Sequence, residues 1–215
     1  MRDYFQEQLS QLHQELMNMG GYCEEIIAMA AEALTGLDGE LASRVKTVGA
    51  RIDESERTIE NICMKLLLRQ QPVARDLRQI SAAMKMITDM ERIGDQAEDI
   101  VDLIPKMERR ADERYPKIRE MAKAAQQMVT EAVDAYVRQD LELARKVMAH
   151  DDIVDEYFNL VKKGIIGIIA ANPGEGEYAL DLLMIAKYFE RIGDHCTNIA
   201  EWVEFSVTGE HKDCQ

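Results

Sequence analysis

A five-residue block that occurs twice is the feature that most restricts the fold of this chain. Residues 91–95 read Glu-Arg-Ile-Gly-Asp, and the same five residues recur at 190–194, 99 positions later. Upstream, Asp53 and Asp155 stand in matching contexts 102 positions apart. Repetition on this scale indicates two copies of one supersecondary unit. The sequence therefore predicts two tandem domains, which cover residues 1–110 and 111–215.

Within each half, the periodicity of apolar residues and the positions of turn residues predict three helices. Apolar residues recur at helical spacing, as in Ile52, Ile59 and Leu66. The helices are expected at residues 3–35, 39–71, 72–110, 115–137, 140–171 and 176–207, with N-caps at Asp38 and Asp140, a helix start at Pro72 and a break at Pro105. Long helices joined by short loops pack as antiparallel bundles. We therefore expect an all-α fold of two tandem, pseudo-symmetric three-helix bundles with six long antiparallel helices.

The chain is strongly acidic, with a formal net charge of −14. Such a surface repels nucleic-acid backbones and anionic membranes, and it attracts cations and basic partner surfaces. The longest apolar run, residues 164–171, is far shorter than the roughly 20 residues that cross a bilayer, and the polar N-terminus carries no signal region. The sequence therefore predicts a cytoplasmic protein that binds no nucleic acid and does not insert into a membrane.

The repeated block lies within a stripe of acidic residues. On a helix that turns about 100° per residue, one narrow face of the third helix carries Glu91, Asp95, Glu98, Asp99 and Asp102. In the second half, the same angular positions are taken by Glu190, Asp194, Asn198 and Glu201. Apolar residues occupy a separate arc of both helices, which predicts that the acidic stripes face away from the core.

Carboxylates one turn apart repel each other, and each such pair destabilises a helix by a few tenths of a kcal/mol. A divalent or trivalent cation would offset this repulsion, and ligands that are all oxygen suit magnesium, manganese, calcium or ferric iron. Asp53 on the second helix, with its counterpart Asp155, is placed to add a ligand from a neighbouring helix. The alternative is an ordinary solvated face, which any helix on a protein surface shows opposite its apolar side.

The histidines and cysteines are expected to have structural roles. None of the four histidines follows a glutamate by three residues, the spacing that di-iron carboxylate enzymes use, so an enzyme of that class is disfavoured. His195 points away from the acidic stripe, which favours a surface or interface position. The four cysteines form no C-x-x-C pair and are expected to stay reduced, with Cys196 in the core.

Two runs of residues resemble the PhoU family. The first is Gln71–Arg78 followed by Asp89–Asp95, and the second is Ile185–Glu201. The similarity extends over nearly the whole chain. One departure is clear, because the second half has Pro173–Tyr178 in place of the Pro-x-x-x-Asp-Leu-Arg run of the first half. The two bundles are therefore expected to contact different partners.

This resemblance implies a regulator and not an enzyme. Members of the family fold as tandem three-helix bundles whose acidic motifs hold multinuclear metal clusters, with iron or zinc expected and manganese or magnesium as alternatives. They repress the phosphate starvation response and phosphate uptake by linking the ATPase subunit of a phosphate ABC transporter to a sensor histidine kinase, usually as homodimers. Carried over by position, the expected metal ligands are Glu91, Asp95, Asp99, Glu190, Asp194 and Asn198, with Asp53, Asp155, Asp102 and Glu201 as further candidates. A helical bundle that only binds partners, with incidental acidic faces, remains the alternative.

Overall fold

Six long helices make up most of the computed structural model, which describes residues 2–36, 39–70, 72–106 and 116–210. The helices are α1 (Arg2–Ala33), α2 (Gly39–Gln70), α3 (Ala74–Leu103), α4 (Pro116–Arg138), α5 (Leu141–Ala171) and α6 (Gly176–Thr208). Short 3-10 turns at Ile104–Lys106 and Pro173–Glu175 follow α3 and α5. This described part of the chain contains no strand. The predicted all-α fold class is therefore confirmed.

The helix ends in the second repeat follow from local capping chemistry. The Asp140 carboxylate accepts a hydrogen bond from the backbone N–H of Leu143 at 3.0 Å, which confirms Asp140 as an N-cap. Asn172 ends α5, and its side chain accepts a hydrogen bond from the N–H of Gly174. Gly209 ends α6 in the left-handed conformation (φ 81°), which a residue without a Cβ adopts at little cost.

The structure corrects one predicted helix boundary in the first repeat and confirms the predicted break at Pro105. Val73 has the extended backbone of an N-cap residue (φ −74°, ψ 166°), so α3 begins at Ala74 and Pro72 lies outside it. At its other end α3 gives way to a 3-10 turn around Pro105, because proline lacks the N–H that would continue the helical hydrogen bonds. The proposed N-cap Asp38 and residues 107–110 lie outside the described residues.

The two repeats pack through their third helices. α3 contacts α6 more extensively than it contacts any other helix, and α1 and α4 extend this central group. α2 packs on α1 and α3, and α5 packs on α4 and α6, so these two helices flank the centre. α3 and α6 run antiparallel, because Asp89 meets His195 while Arg78 lies against Gly209. The buried apolar side chains form one continuous core that the two predicted domains share.

A buried polar network fixes the α4–α5 turn against the other repeat. The Tyr136 hydroxyl donates to the backbone carbonyl of Gln79 at 2.8 Å, and the Gln79 amide donates to the side chain of Gln139 at 2.7 Å. The Gln139 amide in turn donates to the Tyr136 carbonyl and to the Ser206 hydroxyl. Gln139 holds a positive φ of 55°, which is uncommon outside glycine. The network therefore holds a strained turn and ties α3, α4 and α6 together.

Three of the four cysteines lie among the residues that the structure describes. Cys23, Cys63 and Cys196 are buried and free, which confirms the core position of Cys196. Cys214 lies outside the described residues. Among the helices that the structure describes, none is both long enough and apolar enough to cross a membrane.

Replacement of Tyr136 by phenylalanine tests the polar network. Tyr136→Phe should lower the free energy of unfolding by about 1 kcal/mol, because the Gln79 carbonyl loses a buried hydrogen-bond donor. Urea denaturation followed by circular dichroism measures the change. Tyr22→Phe is the control, since that half-buried ring lies beneath Arg51 and phenylalanine keeps the ring. Equal stabilities of the two variants would contradict a structural role for the hydroxyl.

Candidate functional site

Acidic side chains from α2 and α3 meet on the outer side of the first repeat. We call this group the first acidic face; it consists of Asp53, Glu56, Glu91, Asp95, Glu98 and Asp102. The pKa of Glu91 is raised by burial first, and then by the neighbouring charges of Asp95, Glu56 and Asp53. Burial also raises the pKa of Glu98, with further contributions from Asp53, Asp102 and Asp95. Burial is the larger cause of both shifts, and the crowding of like charges adds to it.

Arginine offsets only part of this negative charge. Arg92 contacts Asp95 at 3.0 Å and Glu91 at 3.5 Å, and the negative charge on Glu91 is partly compensated as a result. The guanidinium is about half exposed, and exposed ion pairs stabilise proteins by 1 kcal/mol or less. The pKa of Glu56 remains raised by burial, Glu60 and Asp53 despite Arg57 and Arg92. The carboxylates of the first acidic face therefore keep a residual repulsion.

A second acidic face lies between α5 and α6. It consists of Asp151, Asp155, Glu190 and Asp194, and Asp151 stands at its centre. Burial first, and then the charges of Asp194, Asp155, Glu190 and Asp152, together raise the pKa of Asp151 to about 6. The predicted residues Asp155, Glu190 and Asp194 are thus brought together with an aspartate that the sequence analysis missed.

Asp151 and Glu98 each lie between the second and third helices of their repeat, but they do not occupy equivalent sequence positions. Asp151 matches Gly49 at the offset of 102, and Glu98 matches Thr197 at the offset of 99. The Glu98 carboxylate fills the space beside Gly49, where an added Cβ would lie only 1.7 Å from Oε1. The Asp151 carboxylate lies instead against Gly193, 3.0 Å from the position of an added Cβ. Each repeat therefore places one carboxylate between its second and third helices, but from opposite helices.

The second face also contains a lysine, Lys187, that has no counterpart in the first face. Lys187 binds both carboxylate oxygens of Glu190, and its ammonium lies 5.6 Å from the centroid of the Phe158 ring. At the matching positions the first repeat has Thr88 and Glu56. Lys187 therefore offsets part of the charge on Glu190, as Arg92 does for Glu91, but Glu91 also has the carboxylate of Glu56 beside it. The two faces are unequal in charge although the repeated blocks are identical.

The remaining predicted ligands fall in several places. Asn198 donates a hydrogen bond to Asp89 at 3.1 Å, and His195 contacts the same carboxylate oxygen at 2.9 Å. Asn198 therefore lies at the junction of α3 and α6, and His195 occupies the interface position that its helical angle predicted. Asp99 is exposed on α3, and Glu201 is half-buried on α6.

The donor chemistry of both faces suits a metal ion, although the donors are not gathered around one point. Carboxylate oxygens are ligands for hard and borderline cations, and neighbouring carboxylates add to the effect of burial in raising the pKa values of Glu91 and Asp151. Within residues 2–36, 39–70, 72–106 and 116–210, no three His, Cys, Asp or Glu side chains form a group that could hold a metal ion. Ligation would therefore require side-chain rotation within each face.

Comparison with known proteins identifies the family of this chain. The profile described as PhoU domain matches it twice, over residues 16–104 and 118–203. A phosphate-specific transport system accessory protein PhoU homolog from Clostridium acetobutylicum is 33% identical over 216 residues, which cover 99% of this chain and 98% of that protein. The chain belongs to the PhoU family. A homolog with the same description from Pseudomonas aeruginosa is also 33% identical and matches 95% of this chain and 86% of that protein.

Solved PhoU structures share the fold. The crystal structure of PhoU from Pseudomonas aeruginosa superposes with a TM-score of 0.86 at 33% identity, covering 96% of this chain and 100% of that one. The phosphate transport system regulatory protein PhoU from Streptococcus pneumoniae gives a TM-score of 0.85 at 25% identity, covering 96% and 98%. The chain therefore belongs to a family of regulatory accessory proteins, which are not enzymes.

The raised pKa of Asp151 predicts a pH-dependent stability. Because the folded-state pKa of about 6 exceeds the ordinary 3.8, ionised Asp151 costs stability above pH 6, and this cost disappears below about pH 4. With chelator present, Asp151→Asn should raise the free energy of unfolding at pH 7.5 by about 1 kcal/mol, a value reduced for solvent screening. Urea denaturation at pH 4, 6 and 7.5 measures the gain. Asp152→Asn, at an exposed neighbour, should show a much smaller gain; a gain for Asp151→Asn that is the same at every pH would refute the assignment.

Introducing the second-repeat residues into the first repeat, at Gly49 and Glu98, tests whether the space between α2 and α3 accepts only one carboxylate. Gly49→Asp should lower the free energy of unfolding by about 1–2 kcal/mol, because the new carboxylate competes with Glu98 for one space. Gly49→Asp/Glu98→Thr copies the second repeat and should recover at least half of that loss. Thermal and urea unfolding of both variants and of Glu98→Thr complete the double-mutant cycle. Simple additivity of the two single changes would show that the carboxylates do not compete.

Proposed function

We propose that this PhoU-family chain is a negative regulator of phosphate uptake and of the phosphate starvation response. It acts in the cytoplasm as a homodimeric adaptor between the ATPase subunit of a phosphate ABC transporter and a sensor histidine kinase. Membership of the PhoU family and relatives named as accessory proteins of phosphate-specific transport support the link to phosphate uptake. The net charge of −14 supports contact with basic partner surfaces and disfavours nucleic acid.

The adaptor further requires that the two acidic faces bind metal. The observation that carries this proposal is the gathering of carboxylates from two helices on a partly buried surface in each repeat. Burial first, and then the neighbouring negative charges, raise the pKa values of Glu91, Glu98 and Asp151. A bound cation would relieve the repulsion on each face. A multinuclear cluster of iron or zinc is the leading candidate, with manganese or magnesium as alternatives. The expected ligands are those predicted above (Glu91, Asp95, Asp99, Asp53, Asp102, Glu190, Asp194, Asn198, Asp155 and Glu201), joined by Glu98 and Asp151.

Metal on these faces would supply a positive centre on a protein surface that otherwise repels anions. The carboxylates of α3 and α6 would hold the cations, and the side chains of α2 and α5 would complete each face. Phosphate would then be recruited by the cations and not by the protein charge, which is of the wrong sign. The occupied face would change its charge towards a basic partner surface, so partner binding would follow phosphate supply.

An adaptor whose acidic faces are incidental is the second candidate. The ion pairs of Arg92 with Asp95 and of Lys187 with Glu190 favour it, because they compensate part of the negative charge without a metal. A surface of this kind would bind basic partners directly. It would have no requirement for a cation, and removal of metal would leave partner binding unchanged.

Four alanine substitutions separate these candidates. The quadruple variant is Glu91→Ala/Asp95→Ala/Glu190→Ala/Asp194→Ala. We expect its metal content to fall at least tenfold, because each face loses two carboxylates that are central to ligation. Elemental analysis after purification without added salts measures the metal content. Binding to the sensor kinase and phosphate-dependent repression should be lost with it. Glu142→Ala removes an exposed carboxylate outside both faces and is the matched control.

The outcomes are distinct for the two candidates. Loss of metal together with loss of repression supports the metal-binding adaptor. If repression and kinase binding survive in the quadruple variant, metal has no part in the function and the second candidate stands. If the wild-type protein carries no metal and takes none up from iron, zinc, manganese or magnesium, the metal proposal is wrong for both repeats.

A further inference from the structure

The turn between α2 and α3, which we call the basic end, is positively charged although the whole protein is acidic. Between residues 64 and 79 the chain has Lys65, Arg69, Arg75 and Arg78 against the single acid Asp76, while the whole chain has a net charge of −14. Lys65 and Arg75 are exposed, and Arg78 packs against Gly209 at the end of α6. A cation suits that position, because the C-terminal end of a helix carries partial negative charge.

The same turn exposes apolar side chains on both helices. Met64 and Leu68 lie one turn apart at the end of α2, and Val73 and Leu77 are four residues apart at the start of α3. Their exposed fractions are 42%, 79%, 66% and 48%, respectively. Single exposed apolar residues are common, but four within one helical hairpin, among cations, have the composition of a binding surface.

The opposite end of the molecule has the opposite charge. Because α3 and α6 run antiparallel, the α5–α6 turn lies at the far end of α6, about 50 Å away along a helix of 33 residues. Residues 164–186 contain Glu175, Glu177 and Asp181 and no lysine or arginine. That end also exposes Ile166 and Leu180. The repeats are therefore alike in fold, but the α2–α3 turn of the first is basic and the α5–α6 turn of the second is acidic.

We propose that the basic end docks onto an acidic protein surface with an apolar centre, on a component of the phosphate-specific transport system. This inference rests on the proposed adaptor function and adds a second contact surface to it. Charge complementarity selects the partner: Lys65 and Arg75 meet carboxylates, while Leu68, Val73 and Leu77 fill the centre. An anionic membrane fits less well, because Glu210, next to the Gly209 that Arg78 contacts, would be repelled by it.

A second surface of opposite charge explains how one small chain holds two partners. The acidic faces on α3 and α6 attract basic surfaces, and the basic end attracts an acidic one. Neither partner would compete with the other, because the two kinds of surface use different residues. The charge of each surface also excludes the partner of the other, which provides specificity without a large interface.

Variants at the basic end test the inference. Arg75→Glu/Leu77→Gln reverses one exposed charge and removes one exposed apolar group. Arg75 lies in the first turn of α3, where an acidic side chain is favourable for the helix, so the variant should fold. Affinity is measured by biolayer interferometry for the purified phosphate-specific transport complex of the same organism, held in nanodiscs of zwitterionic lipid. We expect affinity to fall at least tenfold.

Two controls test whether the loss of affinity depends on the positive charge and on the position of the substitution. Arg75→Lys keeps the positive charge and should bind within about threefold of wild type. Leu180→Gln makes the same kind of change at the exposed opposite end and should bind within about twofold. Circular dichroism and thermal unfolding of all variants should match the wild-type protein, since every substituted side chain is exposed.

The outcomes separate this inference from the proposed function. If wild type binds the complex and Arg75→Glu/Leu77→Gln binds equally well, the inference is wrong and the adaptor function stands. If wild type does not bind the complex at all, the transporter contact and this inference are both wrong. Vesicles of equal phosphatidylglycerol and phosphatidylcholine test the lipid alternative. If wild type binds these vesicles and the variant does not, while both bind the transport complex equally well, this end binds lipid and the inference is overturned.

Discussion

The packing of α3 against α6 is the contact on which the rest of the molecule depends. These helices carry the repeated block, and their apolar sides meet in a core that both repeats share. Because their inner sides are buried together, their acidic sides must point outward, one on each flank. α2 and α5 then close over those flanks and add Asp53 and Asp151. Hydrophobic packing at the centre therefore concentrates negative charge at two outer positions.

This arrangement gives the two repeats related but unequal surfaces. The first acidic face includes Glu56 where the second repeat has Phe158. In the second repeat Lys187 binds Glu190, whereas the first repeat has Thr88 at the position of that lysine. The ends differ as well, with cations at the α2–α3 turn and acids at the α5–α6 turn. The two repeats share one fold, and differences at partly exposed positions separate their surfaces, because such positions change at little cost to stability.

Residues that act through local chemistry could be predicted well. Asp140 caps α5, Cys196 is buried, and the break at Pro105 occurs where proline removes a backbone donor. The start of α3 was placed too early, because proline at position 72 is equally compatible with the turn that precedes a helix. Asp151 was missed because its counterpart is Gly49, so a search for acids kept in both halves passes over it. The proximity of Asp151 to Asp194 exists only once α5 lies on α6.

The sequence by itself determined the all-helical class, the duplication, the membership of the PhoU family and the acidic stripes on the third and sixth helices. These features depend on residue spacing along the chain, and spacing is fully present in the sequence. Only the tertiary structure decided that carboxylates from two helices crowd together, that Asn198 turns to Asp89, and that the two charged ends lie at opposite ends of the molecule. Those features depend on distances between helices, which packing sets and helical periodicity does not encode.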